Sequence, residues 1–282
     1  MDFYPTRYSG LSNTEINMLY RSDTWTNLSC EERLDALQEL ENRAAEELGN
    51  RPCEVCTKKM NGAEYGYYSA GQIVVNESLV NQGLLQYEDK EGNVLMYAPD
   101  DVNAQMMDTV YHENYHAYQN DVINNRLVHD NQNEVEIWRA NEDMYISSSD
   151  NGILYRIQSQ ERTAFDYGEL QIKVAFEKIE AECGEDAGYQ AYLTSLHEHS
   201  YEIALTIARE TYNDENIQET LDNYMLESYQ ENHAENSESI VATDLSVSVN
   251  NIDTMDSDAM GSTISSVDNT LGSDNNCDCA TM

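Results

Sequence analysis

VYHENYHAYQ, residues 110–119, places two histidines four residues apart with a glutamate directly after the first. On a helix, residues four apart share one face, one turn apart. His112 and His116 then aim both imidazoles at one point, and two neutral imidazoles suit Zn2+ at about 2.0–2.1 Å. Glu113 stands ~100° further round the helix, outside that pair but beside the position a water would take. A carboxylate there can accept the water's proton. The competing reading is a helix with two solvated histidines. With 6 His and 31 Glu in 282 residues, random placement yields this spacing about 0.01 times. The stretch therefore makes two demands on the rest of the chain: a helix to carry it and a third ligand to complete it.

The flanking sequence supplies the helix. Pro99 and the acids Asp100 and Asp101 open it, and Val102, Met106, Val110 and Ala117 follow helical spacing over about five or six turns. Upstream, Tyr65, Tyr67 and Tyr68 lead through Ser69-Ala70-Gly71 into Gln72, Ile73, Val74, Val75 and Asn76, which predicts a β-hairpin. A second β pair is expected over 83–98, turning at Glu91-Gly92-Asn93. Residues 29–48 predict a helix with Ser29 as N-cap, Glu32 completing a capping box and Gly49 as the stop. Further helices are expected over 133–147, over 154–183, over 187–212 with a break near His197, and over 215–232.

The third ligand is sought on the helix of 154–183. Glu161 lies on its apolar stripe between Ile157 and Ala164/Phe165, and a carboxylate there is costly unless paired or bound to metal. Glu161 is the leading third ligand; a buried salt bridge to Arg156 or Arg162 is the alternative. His129, Asp121 and Asp130 fall beyond or at the end of the motif helix and are weaker candidates. A developing oxyanion would need a hydrogen-bond donor, for which His197, His199 and Tyr155 stand as candidates, with Tyr189 and Tyr201 behind them.

Composition narrows the partners. Lys+Arg 15 against Asp+Glu 53 leaves a formal net charge of −38. That charge repels phosphate backbones and anionic lipid, so nucleic acid and membrane surfaces are poor candidate partners, while cationic proteins and divalent cations are favoured. The first residues show neither a basic n-region nor an apolar h-region, and no apolar run approaches a membrane span. A cytoplasmic protein, or one exported by a route without a secretory signal peptide, is expected. Six cysteines are sparse for a disulfide framework. Cys53 and Cys56 have zinc-knuckle spacing, but no second pair of this spacing completes a knuckle. From residue 233 Ser, Asn, Asp and Thr dominate without sustained period, so an acidic disordered tail is expected. Its last residues, Cys279-Ala280-Thr281-Met282, formally fit a prenylation box, with an accidental ending as the alternative.

With these residues in hand, the HENYH helix and the downstream ERTAF helix resemble the zincin metallopeptidases, in their glutamate-ligand branch. The spelling YHENYHAYQ after GYYSAGQIVVN also resembles compact metallopeptidase domains of bacterial toxins and effectors. The resemblance covers residues 62–180. It implies that His112, His116 and Glu161 hold one Zn2+ per chain and that Glu113 is the general base. It also implies that an edge strand, here Gln72–Asn76, binds substrate backbone by strand addition. Ala164 fits the position that often follows the ligand Glu, whereas Asp166 is one residue off the commoner Asp spacing. No third His follows His116 closely, which excludes the metzincin branch.

The expected architecture is an α+β, zincin-like fold, mostly helical, with a small sheet beside the active-site helix. Residues 1–60 form a helical N-terminal segment, 61–232 the metallopeptidase domain and 233–282 the tail. The expected activity is zinc-dependent hydrolysis of a protein or peptide substrate. The alternatives are a non-catalytic zincin-like binding protein and a plain acidic helical protein without metal.

Overall fold

The computed structural model describes the backbone of residues 3–60, 64–88, 94–198 and 200–250. Its central element is the motif helix, Val102–Ile123. Preceding it in chain order are three helices, α1 (Asn13–Met18), α2 (Ser22–Trp25) and α3 (Cys30–Leu48), then strands β1 (Glu54–Lys58), β2 (Gly66–Ser69) and β3 (Gln72–Asn76), α4 (Glu77–Gln82) and the pair β4 (Leu85–Glu88) and β5 (Val94–Tyr97). The motif helix is α5. After it come α6 (Gln132–Asp143), α7 (Gly152–Ile157), α8 (Ser159–Cys183), α9 (Ala187–Glu198), α10 (Tyr201–Tyr212) and α11 (Ile217–Asn250). The fold is α+β and mostly helical, with a three-stranded mixed sheet.

α3 forms for the reason its sequence gives. Ser29 Oγ accepts from Glu32 N–H, the Glu32 carboxylate accepts from Ser29 N–H at 2.8 Å, and Gly49 closes the helix at φ 77°. α3 and α1 are not a separate segment. Ile16, Trp25, Leu37 and Leu40 share one core with Ile73, Met106, Val110 and Phe176, so the boundary expected at residue 60 does not exist. The first sixty residues also hold β1. The chain divides instead into Met1–Tyr229 and Gln230–Met282.

The sheet order is β1-β3-β2, with β3 parallel to β1 and antiparallel to β2. The expected hairpin is β2–β3, and its turn residues Ala70 (φ 49°) and Gly71 (φ 86°) both have the positive φ that a tight two-residue hairpin turn needs. β3, the strand expected at the edge, is central: Gln72, Ile73, Val74, Val75 and Asn76 pair with β1, and the first four also with β2. It is nearly fully buried, as its unbroken Ile-Val-Val run demands. The start of the outer edge of β1 is covered by α3. Gln38 Oε1 accepts from Val55 N–H at 2.8 Å, Gln38 Nε2 donates to the Cys53 carbonyl at 2.9 Å, and Glu41 Oε1 accepts from Cys53 N–H at 2.6 Å. Among the described residues, no strand pairs with the far side of β2, which leaves it the open edge.

The expected helix over 154–183 is broken at Gln158, which is extended (φ −63°, ψ 147°) and fully buried. Its amide is bonded like a strand residue: Oε1 accepts from Asn141 Nδ2 and Ile146 N–H, and Nε2 donates to the Ile146 carbonyl. The break near His197 does occur, between α9 and α10. Helix α11 continues through the start of the expected tail to Asn250, a stretch without Pro or Gly to stop it. The Glu91-Gly92-Asn93 turn and Cys279-Ala280-Thr281-Met282 lie outside the described residues. No described helix is long and apolar enough to cross a membrane.

Candidate metal centre

Three elements meet at the motif. His112, Glu113 and His116 project from α5, Glu161 from the first turn of α8, and β2 runs alongside. Together they line a cleft of about 360 Å³ with Tyr145 and Tyr155. His112, Glu113 and His116 offer ligand atoms within 4.8 Å of one another.

The spacing among the donors is specific. His112 Nε2 and His116 Nε2 are 3.1 Å apart, and each lies 3.3 Å from an oxygen of Glu161. Bonds of about 2.0–2.1 Å at tetrahedral angles separate neighbouring ligand atoms by ~3.3 Å. The two imidazoles and the carboxylate, which meets His112 through Oε2 and His116 through Oε1, thus present a three-sided face at about the separation of neighbouring ligands. The Glu161 side chain is 2% exposed, and its Oε2 has no hydrogen-bond partner among the described residues. A buried carboxylate oxygen left so is what a cation would satisfy. Neither Arg156 nor Arg162 pairs with Glu161; Arg156 is bound to Glu169 at 2.9 Å.

The protonation of His116 follows from its neighbours. Gln119 Nε2 donates to the Gln160 carbonyl (3.0 Å) and Thr163 Oγ1 (2.8 Å), which orients the amide so that Oε1 faces His116 Nδ1 at 2.8 Å. An amide oxygen only accepts, so the proton sits on Nδ1 and Nε2 is left bare to ligate. Without metal, burial pulls the His116 pKa down, but the Glu161 carboxylate outweighs it and raises the value to about 9. Burial pushes the Glu161 carboxyl up in turn, and His116 and His112 reverse this, holding it well below the usual range. His112 packs its ring 4.3 Å from that of Phe165. Its Nδ1 has no partner among the described residues.

Glu113 stands beside this face, and its Oε2 accepts from the backbone N–H of Tyr68 at 2.7 Å. That bond is possible because of strand alternation. Asn76 N–H donates to the Tyr65 carbonyl, so Tyr65, Tyr67 and Ser69 bond toward β3 while Gly66 and Tyr68 turn their backbone groups outward.

Two phenols complete the cleft. Tyr145 donates to Glu161 Oε1 at 2.6 Å, and Gln158 pins its loop through Ile146. Burial first, then Glu161, raises the pKa of both Tyr145 and Tyr155, so both stay protonated at neutral pH. Tyr155 was legible as a donor; Tyr145 was not, since nothing in its own neighbourhood marks it among 20 tyrosines. Gln119 was visible only as a polar residue three beyond His116.

The other candidates lie elsewhere. His129 bonds Tyr118 and Glu134, and Asp121 pairs with Arg51 and Arg126. Tyr189 stacks on Phe176 in the core. Cys53 is buried and Cys56 lies on β1; residues three apart in extended chain face opposite sides, so the pair does not form half of a zinc knuckle. His199 and the side chain of His197 lie outside the described residues. No family model matches the sequence, and neither a curated protein nor a solved structure matches it.

Proposed function

We propose that the protein is a zinc-dependent peptidase of the zincin type, acting on an extended protein or peptide segment. The observation that carries this is the Glu161 carboxylate standing 3.3 Å from both His112 Nε2 and His116 Nε2, with Glu113 beside them. His112, His116 and Glu161 would hold the ion. Zinc in a three-ligand site supplies an acidified water and a Lewis acid.

The chain's own residues do the remainder. Glu113 accepts a proton from the attacking water and returns it to the leaving amine. Tyr145 and Tyr155, protonated and facing the cleft, donate to the oxygen that becomes negative. With the Tyr68 N–H held by Glu113, the outward backbone groups of Gly66 and the Tyr68 carbonyl on β2 supply a short ladder for an extended substrate, the role first expected of Gln72–Asn76. The apolar cavity of about 580 Å³ that shares Tyr155 with the cleft offers room for a substrate side chain.

Metal analysis of the purified chain, paired with Glu113→Gln, tests the proposal. Stoichiometric zinc lost in His112→Ala, with cleavage lost but zinc kept in Glu113→Gln, supports it. Zinc without turnover on any peptide library favours a binding protein, and protein that takes up no zinc overturns the reading.

A further inference from the structure

One turn beyond His116 along α5 lies a second cavity of about 450 Å³, with Tyr68 and Asn120 lining both it and the cleft. Its charge is unlike the rest of the molecule. Arg51 and Arg126 both face it, and Asp121 is the one acid in its lining among the described residues. Elsewhere the ion-paired arginines have an acid of their own: Arg21 has Asp23, Arg43 has Glu39, Arg139 has Glu136 and Arg156 has Glu169. Here two guanidiniums share one carboxylate.

That carboxylate already accepts three hydrogen bonds. Asp121 Oδ1 accepts from Arg126 Nε and from Arg51 Nη2, and Oδ2 accepts from the backbone N–H of Arg51. Arg126 Nη2 donates to Asn120. Among the described residues, Arg126 Nη1 and Arg51 Nε and Nη1 make no hydrogen bond, and the Arg51 side chain is 71% exposed. The cavity therefore presents unfilled donors of two planar cations, the geometry that takes a carboxylate in a two-pronged grip. The Ala70-Gly71 turn forms part of its wall, and nothing lies within 4 Å of where a Gly71 Cβ would stand. The net charge of −38 does not forbid an anion here. Charges beyond ~8 Å are largely screened at physiological ionic strength, so the two nearest cations decide.

We propose that this cavity is a substrate subsite that recognises an acidic side chain, with Arg51 and Arg126 as its anchors. The proposal deepens the peptidase reading and rests on it. Asn120 lies one turn, ~6 Å, past His116, which corresponds to about two residues of extended peptide at ~3.3 Å each. The acidic residue is thus expected about two positions from the scissile bond.

Two measurements on the full-length, zinc-loaded protein test this. Cleavage of a mixed synthetic peptide library, read by mass spectrometry, should show Asp or Glu enriched at one position about two residues from the cut. Arg51→Gln should erase that enrichment. Fluorescence anisotropy with labelled, C-terminally amidated pentapeptides carrying a central Glu, Gln or Lys reads binding without turnover in the Glu113→Gln protein. The Glu peptide should bind about tenfold tighter than the Gln peptide, and Arg51→Gln should remove the difference. Arg51 is exposed, so its variant tests recognition rather than folding. If no peptide is cut but the Glu preference and its loss persist in binding, the peptidase reading fails and the subsite stands. If the Glu and Gln peptides bind alike, or Arg51→Gln changes nothing, the arginines only brace Asp121 and the proposal is overturned. If a free-acid Gln peptide matches the Glu peptide, the cavity takes a chain terminus and the side-chain assignment is overturned.

Discussion

The backbone N–H of Tyr68 donates to the Glu113 carboxylate at 2.7 Å. This single bond ties the open edge of the sheet to the acid beside His112 and His116. It holds one oxygen of Glu113 and leaves the other for a proton. Glu113→Gln keeps an oxygen to accept from Tyr68 and removes the base. Peptide cleavage should fall by about 10²–10⁴, with zinc content and melting temperature unchanged, as read by elemental analysis and calorimetry.

Gln119 Oε1 faces His116 Nδ1 at 2.8 Å and so turns Nε2 toward Glu161. Replacing Gln119 with Leu keeps the volume and removes the acceptor. Metal affinity should fall about 10–100-fold, measured by competition with a chromogenic chelator. Affinity equal to the parent's would show that Gln119 does not set the tautomer.

Tyr145→Phe removes a donor to Glu161 without touching a ligand atom. If the phenol meets the reacting oxygen, kcat should drop about 10²–10³ with KM little changed. A loss confined to zinc affinity would assign Tyr145 to holding Glu161 alone.

Glu41 supplies the pH dependence of stability. Burial raises its pKa from 4.5 to about 8, against the bonds from Cys53 and Asn114 that lower it. A carboxyl raised on folding binds its proton more tightly in the native state. Its cost is absent below pH 4.5, grows as pH rises through the interval and is complete above about 8. Stability from this group therefore declines from pH 4.5 to 8, and Glu41→Gln should flatten that part of the profile in urea titrations.

Gly168 marks the closest approach of α8 to α5. A Cβ there would meet Asp108 Oδ1 at 2.5 Å. Gly→Ala in an open helix gains about 1 kcal/mol, but crowding a packed contact costs about 1–3 kcal/mol. Gly168→Ala should lower the melting temperature, and adding Asp108→Ala should restore it.

Elements stated by local chemistry were legible in the sequence. The Ser29/Glu32 box, the Gly49 stop, the Ala70-Gly71 turn and the motif helix each follow from residues within a few positions of one another. Glu161 stood out because an acid on an apolar stripe asks for a partner. What escaped depended on long-range pairing. The Ile73-Val74-Val75 run reads equally as edge or centre until β1, eighteen residues earlier in register, is seen to pair with it. Gln158 looks like an ordinary helical residue, yet its bonds to Asn141 and Ile146 break the helix and set Tyr145 in place. Arg51 and Arg126 are 75 positions apart, and only the fold joins them over Asp121.

The amide and carboxyl of Gln38 and Glu41 have a further consequence. They occupy the backbone groups of Cys53 and the outer N–H of Val55, so the entry of β1 offers no free ladder. A guest strand is thereby directed to the β2 side. The sheet lends itself to extension from one side rather than from both, which reduces the edge available to the pairing that unprotected sheets undergo.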